Sequence, residues 1–131
     1  MMKKILIADD EEGIRLVLAA TLCKQFSIVQ ACDGLQALAM ARLEKPDVIL
    51  LDIAMPGMDG LETLARIKAE KLGPVAIIML SSMDDMETVG KALAMGACEY
   101  ITKPFDPHKV RRVIADKVCM HKGGSPWVIK R

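Results

Sequence analysis

The sequence predicts a three-layer α/β domain, with five parallel strands in one sheet and helices packed on both faces. Three observations lead there. Five short apolar runs of strand length alternate with five segments of helical periodicity, the pattern of a chain built from repeated strand–helix units. The runs at 5–8, 47–51 and 75–80 are nearly continuous aliphatic, as strands buried on both faces are. The runs at 27–31 and 99–102 carry polar side chains and belong at the edges. A strand order of 2-1-3-4-5 with right-handed crossovers satisfies that placement.

In chain order, residues 5–8 form the first strand, preceded by Lys3-Lys4 and ended by Asp9-Asp10. Residues 11–24 follow as a helix, with Ile14, Val17, Leu18, Thr21 and Leu22 on one face and Arg15 off it. Acidic residues at its start suit the positive end of the helix dipole. The second strand, 27–31, is weakened by Ser27 and Gln30, and Asp33 with Gln36 has capping-box spacing for a helix from 35 to about 44. The third strand, 47–51, runs into Asp52. Met55-Pro56-Gly57 then breaks the chain, and Asp59 with Glu62 caps a helix over 61–70, closed by Gly73-Pro74. The fourth strand, 75–80, stops at Ser81-Ser82; Asp84 and Glu87 cap a helix to Met95, with Gly96 as its stop. Residues 99–102 make a short mixed strand ended by Lys103-Pro104. Asp106 as N-cap and Pro107 at the first helical position begin the last helix, to about 120. Residues 123–126 are linker-like, so a domain is expected over 1–121 and a tail over 122–131.

At 131 residues the chain is long enough for one domain with its own core, and 52% hydrophobic with 27% charged residues describes an ordered globule. Cys23, Cys32, Cys98 and Cys119 form no CxxC pair and no metal-finger spacing, which points to free thiols in a reduced cytoplasm. The start is too short in apolar residues for a secretory signal, and no apolar run approaches the roughly 18 residues of a membrane span. Up to His108 there are eleven Lys/Arg against sixteen Asp/Glu, whereas from Lys109 onward seven basic residues face Asp116 alone. With one aromatic there, Trp127, and no binding motif, that basic end reads as a solvated helix face and tail, so no nucleic-acid partner is expected.

In an open parallel sheet, ligands bind beyond the carboxyl ends of the strands, where strand order reverses. Here that point lies between the strand ended by Asp9-Asp10 and the strand ended by Asp52. Three carboxylates in one crevice repel one another unless a cation neutralises them. With no His or Cys beside them, the all-oxygen set favours a hard ion, Mg²⁺. The fourth strand ends at Ser81, a hydroxyl, and the fifth at Lys103, a mobile point charge. Together these can stabilise a phosphoryl group in transfer. Each has an ordinary explanation when taken alone: an acidic helix start, a capping hydroxyl, a surface lysine, and for Tyr100 a half-buried edge-strand aromatic. Four strands ending in the right residue types weaken those explanations jointly.

These residues carry a family resemblance. ILIADDEE, VILLDIAMPGMDG, IIMLSS and EYITKPF, in that order, resemble the motifs of receiver domains of bacterial two-component response regulators, over about residues 3–122. The resemblance implies a flavodoxin-like (βα)5 fold, whose known strand order is the one the edge argument satisfies. It implies that Asp52 is the phosphoacceptor, fed by a histidine kinase or histidine phosphotransferase. Asp10, Asp52 and the backbone carbonyl of Ala54 would ligate Mg²⁺, with Asp9 helping. Ser81 and Lys103 would bind phosphoryl oxygens, Tyr100 would change rotamer on activation, and Lys103-Pro104 would be cis. A protein target would then dock on the 84–95/99–102/106–120 face, and a phosphorylation-dependent dimer is left open.

Ala54 and Met83 lie two residues past Asp52 and Ser81, where the family often has polar side chains that influence hydrolysis; a long-lived phosphoryl group is expected. Two rival classes fit less well. A haloacid-dehalogenase-type aspartyl phosphatase needs an acid at position 54, which is alanine, so a turnover enzyme is not expected. A flavodoxin-type redox module needs a phosphate-cradling loop where the chain has Asp9–Glu12. No output domain fits after Met120, which leaves a stand-alone receiver or a fragment of a larger DNA-binding or enzymatic regulator.

Overall fold

Alternating aliphatic and amphipathic segments fold as five strands and five helices in strict alternation. The computed structural model describes residues 2–122, so the linker-like stretch at 123–126 and Trp127 lie outside the described residues. The elements are β1 (Lys4–Ala8), α1 (Glu12–Leu22), β2 (Ser27–Ala31), α2 (Gly34–Glu44), β3 (Val48–Leu51), α3 (Gly60–Glu70), β4 (Ala76–Ser81), α4 (Met86–Ala94), β5 (Glu99–Thr102) and α5 (Pro107–Lys122). All four pairings are parallel, and the order is β2-β1-β3-β4-β5. This is the flavodoxin-like arrangement that the resemblance implies and that strand polarity satisfies. Every residue of β3 and β4 is buried, whereas β2 and β5 are partly exposed.

The period of two along each strand divides the core into two layers. Leu6, Ile49, Leu51, Ile77 and Met79 face Ala37, Leu38, Leu64, Ile67 and Ala92 of α2, α3 and α4. Ile5, Ile7, Leu50, Ile78 and Leu80 face Leu18, Leu22, Val110 and Ile114 of α1 and α5. With both faces of the central strands filled, their ends are fixed in space, and those ends carry the charged residues.

The local chemistry differs from expectation in four places. Helix α4 is capped by Asp85, whose carboxylate accepts from Thr88 N at 2.9 Å, one residue later than the predicted Asp84/Glu87 pair. Thr88 also donates its hydroxyl to Asp85, a second bond that Glu87 could not offer Asp84. Helix α3 closes at Lys71 in the left-handed region (φ 52), two residues before Gly73. The predicted boxes at Asp33 and Asp59 do cap α2 and α3, but neither is reciprocal. Gln36 Oε1 accepts from Cys32 N, and Glu62 turns instead to Arg66 at 3.1 Å. In α1, Leu18 and Leu22 are buried but Val17 is 48% exposed, because the face of α1 toward the sheet is narrower than its apolar stripe.

Gly60 fits α3 against the loop after β3. A Cβ there would lie 2.0 Å from Asp52 O and 2.6 Å from Ile53 Cα, both main-chain atoms that cannot step aside. Its own N–H donates to Ile53 O at 2.8 Å. Gly90, inside α4, has nothing within 4 Å of such a Cβ. Gly60→Ala should therefore destabilise the fold by about 2–4 kcal/mol, whereas Gly90→Ala should stabilise it by about 0.5–1 kcal/mol. Urea denaturation of the two variants checks both signs.

Candidate functional site

Main-chain bonds at the carboxyl edge of the sheet extend the ladder past the strands. Asp9 N donates to Ala31 O at 3.1 Å, Asp52 N to Ala8 O at 3.0 Å, and Lys103 N to Ser81 O at 2.9 Å. Each bond fixes the backbone of a residue whose side chain belongs to the predicted site. Asp9, Asp10 and Asp52 come together, with one carboxylate oxygen from each within 4.8 Å of the others. Asp9 and Asp52 are buried, and Asp10 faces solvent.

Asp9 Oδ1 accepts from Glu11 N at 2.9 Å, which folds the loop between β1 and α1 back on itself. Its other oxygen, Oδ2, is buried and accepts no directed hydrogen bond, although Lys103 Nζ lies 2.9 Å away as a charge contact. The same ammonium is 3.0 Å from Glu11 Oε1 and 3.3 Å from Asp52 Oδ2. The cis peptide at Lys103-Pro104 follows.

The donor set suits a small, hard divalent cation. Octahedral oxygen ligation at about 2.1 Å puts neighbouring ligand atoms about 3 Å apart and opposite ones about 4.2 Å apart. A trio already within 4.8 Å needs small side-chain movements to reach that geometry. The undonated Asp9 oxygen is a ligand atom in waiting.

Burial pushes the Asp52 carboxyl above its ordinary value, and the negative charge of Asp9 adds to this; Lys103 offsets part of it. Burial works against the Lys103 ammonium, but its close contacts with the Asp9 and Glu11 carboxylates and the charge of Asp52 outweigh it, so its pKa rises. The site thus keeps its lysine charged and strains the ionised Asp52.

Ser81, the last residue of β4, is fully buried, and its hydroxyl accepts from Met83 N at 3.1 Å rather than capping α4. Tyr100, half-buried on β5, donates its hydroxyl to the Met83 carbonyl. The two side chains hold one residue by its two main-chain groups. Ala54 is exposed in the loop after β3, where the Ile53 carbonyl takes hydrogen bonds from Met55 N and Gly60 N. Met83 is 40% exposed.

Two residues at the site were not predicted. Arg15 donates Nη1 to Asp9 O at 2.6 Å and Nε to Gln30 Oε1 at 3.2 Å, tying the acidic loop to β2. Its place off the apolar face of α1 was the only sign of a separate task. Glu11, read as a helix-start acid, instead faces Lys103 across 92 positions of sequence. Beside that pair an open groove of about 480 Å³ is lined by Ile14, Val17, Phe105 and Pro107, which gives the exposed Val17 its setting.

Fold and site define a doubly wound α/β domain with a cluster of three carboxylates at its switch point. The family model of the response regulator receiver domain matches residues 5–115. Sporulation initiation phosphotransferase F of Bacillus subtilis is 36% identical over 115 residues, covering 87% of this chain and 92% of that protein. The alkaline phosphatase synthesis transcriptional regulatory protein PhoP of the same organism is 40% identical over 111 residues, 84% of this chain but 46% of that protein. In the CheX–CheY–BeF3–Mg complex from Borrelia burgdorferi, the similar chain superimposes with a TM-score of 0.79 at 31% identity, covering 86% of this chain and 87% of that one. The chain belongs to the response regulator receiver domain family, the receivers of two-component signalling.

Because its pKa is raised in the folded protein, Asp52 adds stability only while protonated. That contribution is complete below the unfolded value of 3.8 and is lost as pH rises through the higher folded value. Asp52→Asn, which mimics the neutral acid, should therefore exceed the wild type in stability near pH 7, by about 1–3 kcal/mol without divalent cations. The gap should close on approaching the unfolded pKa. Thermal melts in chelator across that range test the sign.

Proposed function

We propose that the protein accepts a phosphoryl group on Asp52 from the phosphohistidine of a histidine kinase or histidine phosphotransferase, in a Mg²⁺-dependent reaction. One observation carries the reading: a buried Asp52 carboxylate beside Asp9 and Asp10, with a charged lysine 3.3 Å away. In the transfer, an Asp52 oxygen bonds to phosphorus as the N–P bond of the donor breaks, and the departing imidazole takes up a proton. Asp9, Asp10 and Asp52, with the Ala54 carbonyl, would hold Mg²⁺, which when bound supplies charge stabilisation to the phosphoryl oxygens. The groove beside Lys103, lined by Ile14, Val17 and Phe105, offers the donor an approach.

The protein's own groups then follow the charge. Lys103, paired to three carboxylates at rest, can turn to the phosphoryl oxygens as negative charge moves there. The Ser81 hydroxyl accepts from Met83 N, and its own hydrogen can turn to a phosphoryl oxygen. Drawing Ser81 inward loosens its hold on Met83, the residue that Tyr100 holds from the other side. Reorganisation of that residue is the route by which phosphorylation changes the 84–95/99–102/106–120 face, where a protein target binds. The acyl phosphate product is labile, and Ala54 offers no general acid, so the protein is an acceptor rather than a turnover enzyme in the cytoplasm.

Likeness to the sporulation initiation phosphotransferase favours action through phosphoryl exchange with partner proteins. Half coverage of PhoP supports a second reading, the receiver part of a larger transcriptional regulator. Incubation with a small phosphodonor and Mg²⁺ should add one phosphoryl group to the wild type and none to Asp52→Asn, by intact mass. A wild type that gains nothing, or an Asp52→Asn variant that gains equally at another site, overturns the reading. In the phosphorylated protein, Ala54→Asn or Met83→Glu should shorten the phosphoryl lifetime several-fold, followed by the decay of the same mass peak; unchanged decay would mean that these two positions do not set the lifetime.

A further inference from the structure

Lys103 has more partners than its task requires. Asp9 and Asp52 are members of the acid trio, and a cation bound there would displace the ammonium from both by direct competition for the same oxygens. Glu11 is different. Its carboxylate lies 3.0 Å from Lys103 Nζ, it stands outside the trio, and it is 61% exposed on its side chain at the mouth of the site. Its backbone is also fixed, because Glu11 N donates to Asp9 Oδ1 at 2.9 Å and Glu11 O accepts from Arg15 N at 3.2 Å as α1 begins. A flexible four-carbon side chain can swing between an inner pair of acids and an outer one with little change in its stem.

We propose that Glu11 is a positioning residue for Lys103. It retains the ammonium at the rim when a cation takes the Asp9 and Asp52 carboxylates, so the lysine neither competes with the cation nor leaves the neighbourhood of the acceptor. The idea rests on reading the acid trio as a cation site. Without Glu11, Lys103 has the two inner carboxylates as its remaining acidic partners in the site, and the cation must displace it from them into water.

Calorimetric titration of the unphosphorylated protein with Mg²⁺, on the wild type, Glu11→Gln, Lys103→Met and the double variant, tests the coupling. Glu11→Gln should weaken Mg²⁺ binding roughly two- to fivefold when Lys103 is present, and the ratio should fall toward one in the Lys103→Met background. An equal loss in both backgrounds would mean that Glu11 acts as one more negative charge, and the proposal is then wrong. A wild type with no Mg²⁺ affinity removes the cation reading and this proposal with it, a result distinct from failure of phosphorylation at Asp52. A second measurement needs no change at Lys103. In Mg²⁺-saturated protein, a water-soluble succinimidyl ester should acylate Lys103 several-fold faster in Glu11→Gln than in the wild type, read by peptide mass mapping. Equal labelling also overturns the proposal.

Discussion

Mutual repulsion among Asp9, Asp10 and Asp52 is the interaction around which the carboxyl edge of this domain is arranged. Two of these acids are buried, and the raised pKa of Asp52 records both its burial and the charge of Asp9. Such a cluster survives in a folded chain only if countercharge is close at hand. Lys103 supplies it from a different strand, within 3.3 Å of all three of its acidic partners. The balance is incomplete, since one oxygen of Asp9 still lacks a directed donor.

Holding that repulsion requires stiffness, and the sheet provides it. The central strands are packed on both faces, and main-chain bonds run one residue past the ends of β1, β3 and the edge strand β5 to Asp9, Asp52 and Lys103. Gly60 lets the start of α3 press against the Asp52 backbone from the far side. The β4–α4 loop is held differently. Met83 is fixed by two side-chain bonds, from Ser81 and Tyr100, rather than by a ladder. A segment held by two hydrogen bonds can be rearranged at far lower cost than a buried strand, so the rigid and the changeable parts of the site are built from different interactions.

The layered architecture was legible because it follows from side-chain polarity along short runs, which burial at the sheet centre and exposure at its edges impose directly; polarity placed β2 and β5 at the edges, and the full strand order came with the family resemblance. The gathering of Asp9, Asp10, Asp52 and Lys103 was legible for the same reason, since each ends a strand and parallel strands end on one side. Caps were read less well. Asp84 and Asp85 are equally good candidates by residue type, and the choice of Asp85 depends on Thr88 offering both a main-chain and a hydroxyl donor. Glu11 and Arg15 were missed as members of the site because each looks like an ordinary residue at a helix start until the loop geometry brings it to Lys103 or to the Asp9 carbonyl.

By itself the sequence determined which residue types stand at the end of each strand, because a two-sided hydrophobic core admits few alternatives to these aliphatic runs and pushes charge to their ends. It determined the chemistry on offer: carboxylates, a hydroxyl and an amine, with no imidazole or thiol among them. Only the tertiary structure decided the pairings. Lys103 chooses among acids far away in the chain, Glu11 by 92 positions and Asp52 by 51, and Tyr100 finds the carbonyl of Met83 rather than solvent. Such choices depend on distances of a few ångströms between segments remote in sequence, and those distances exist only once the sheet has set its register.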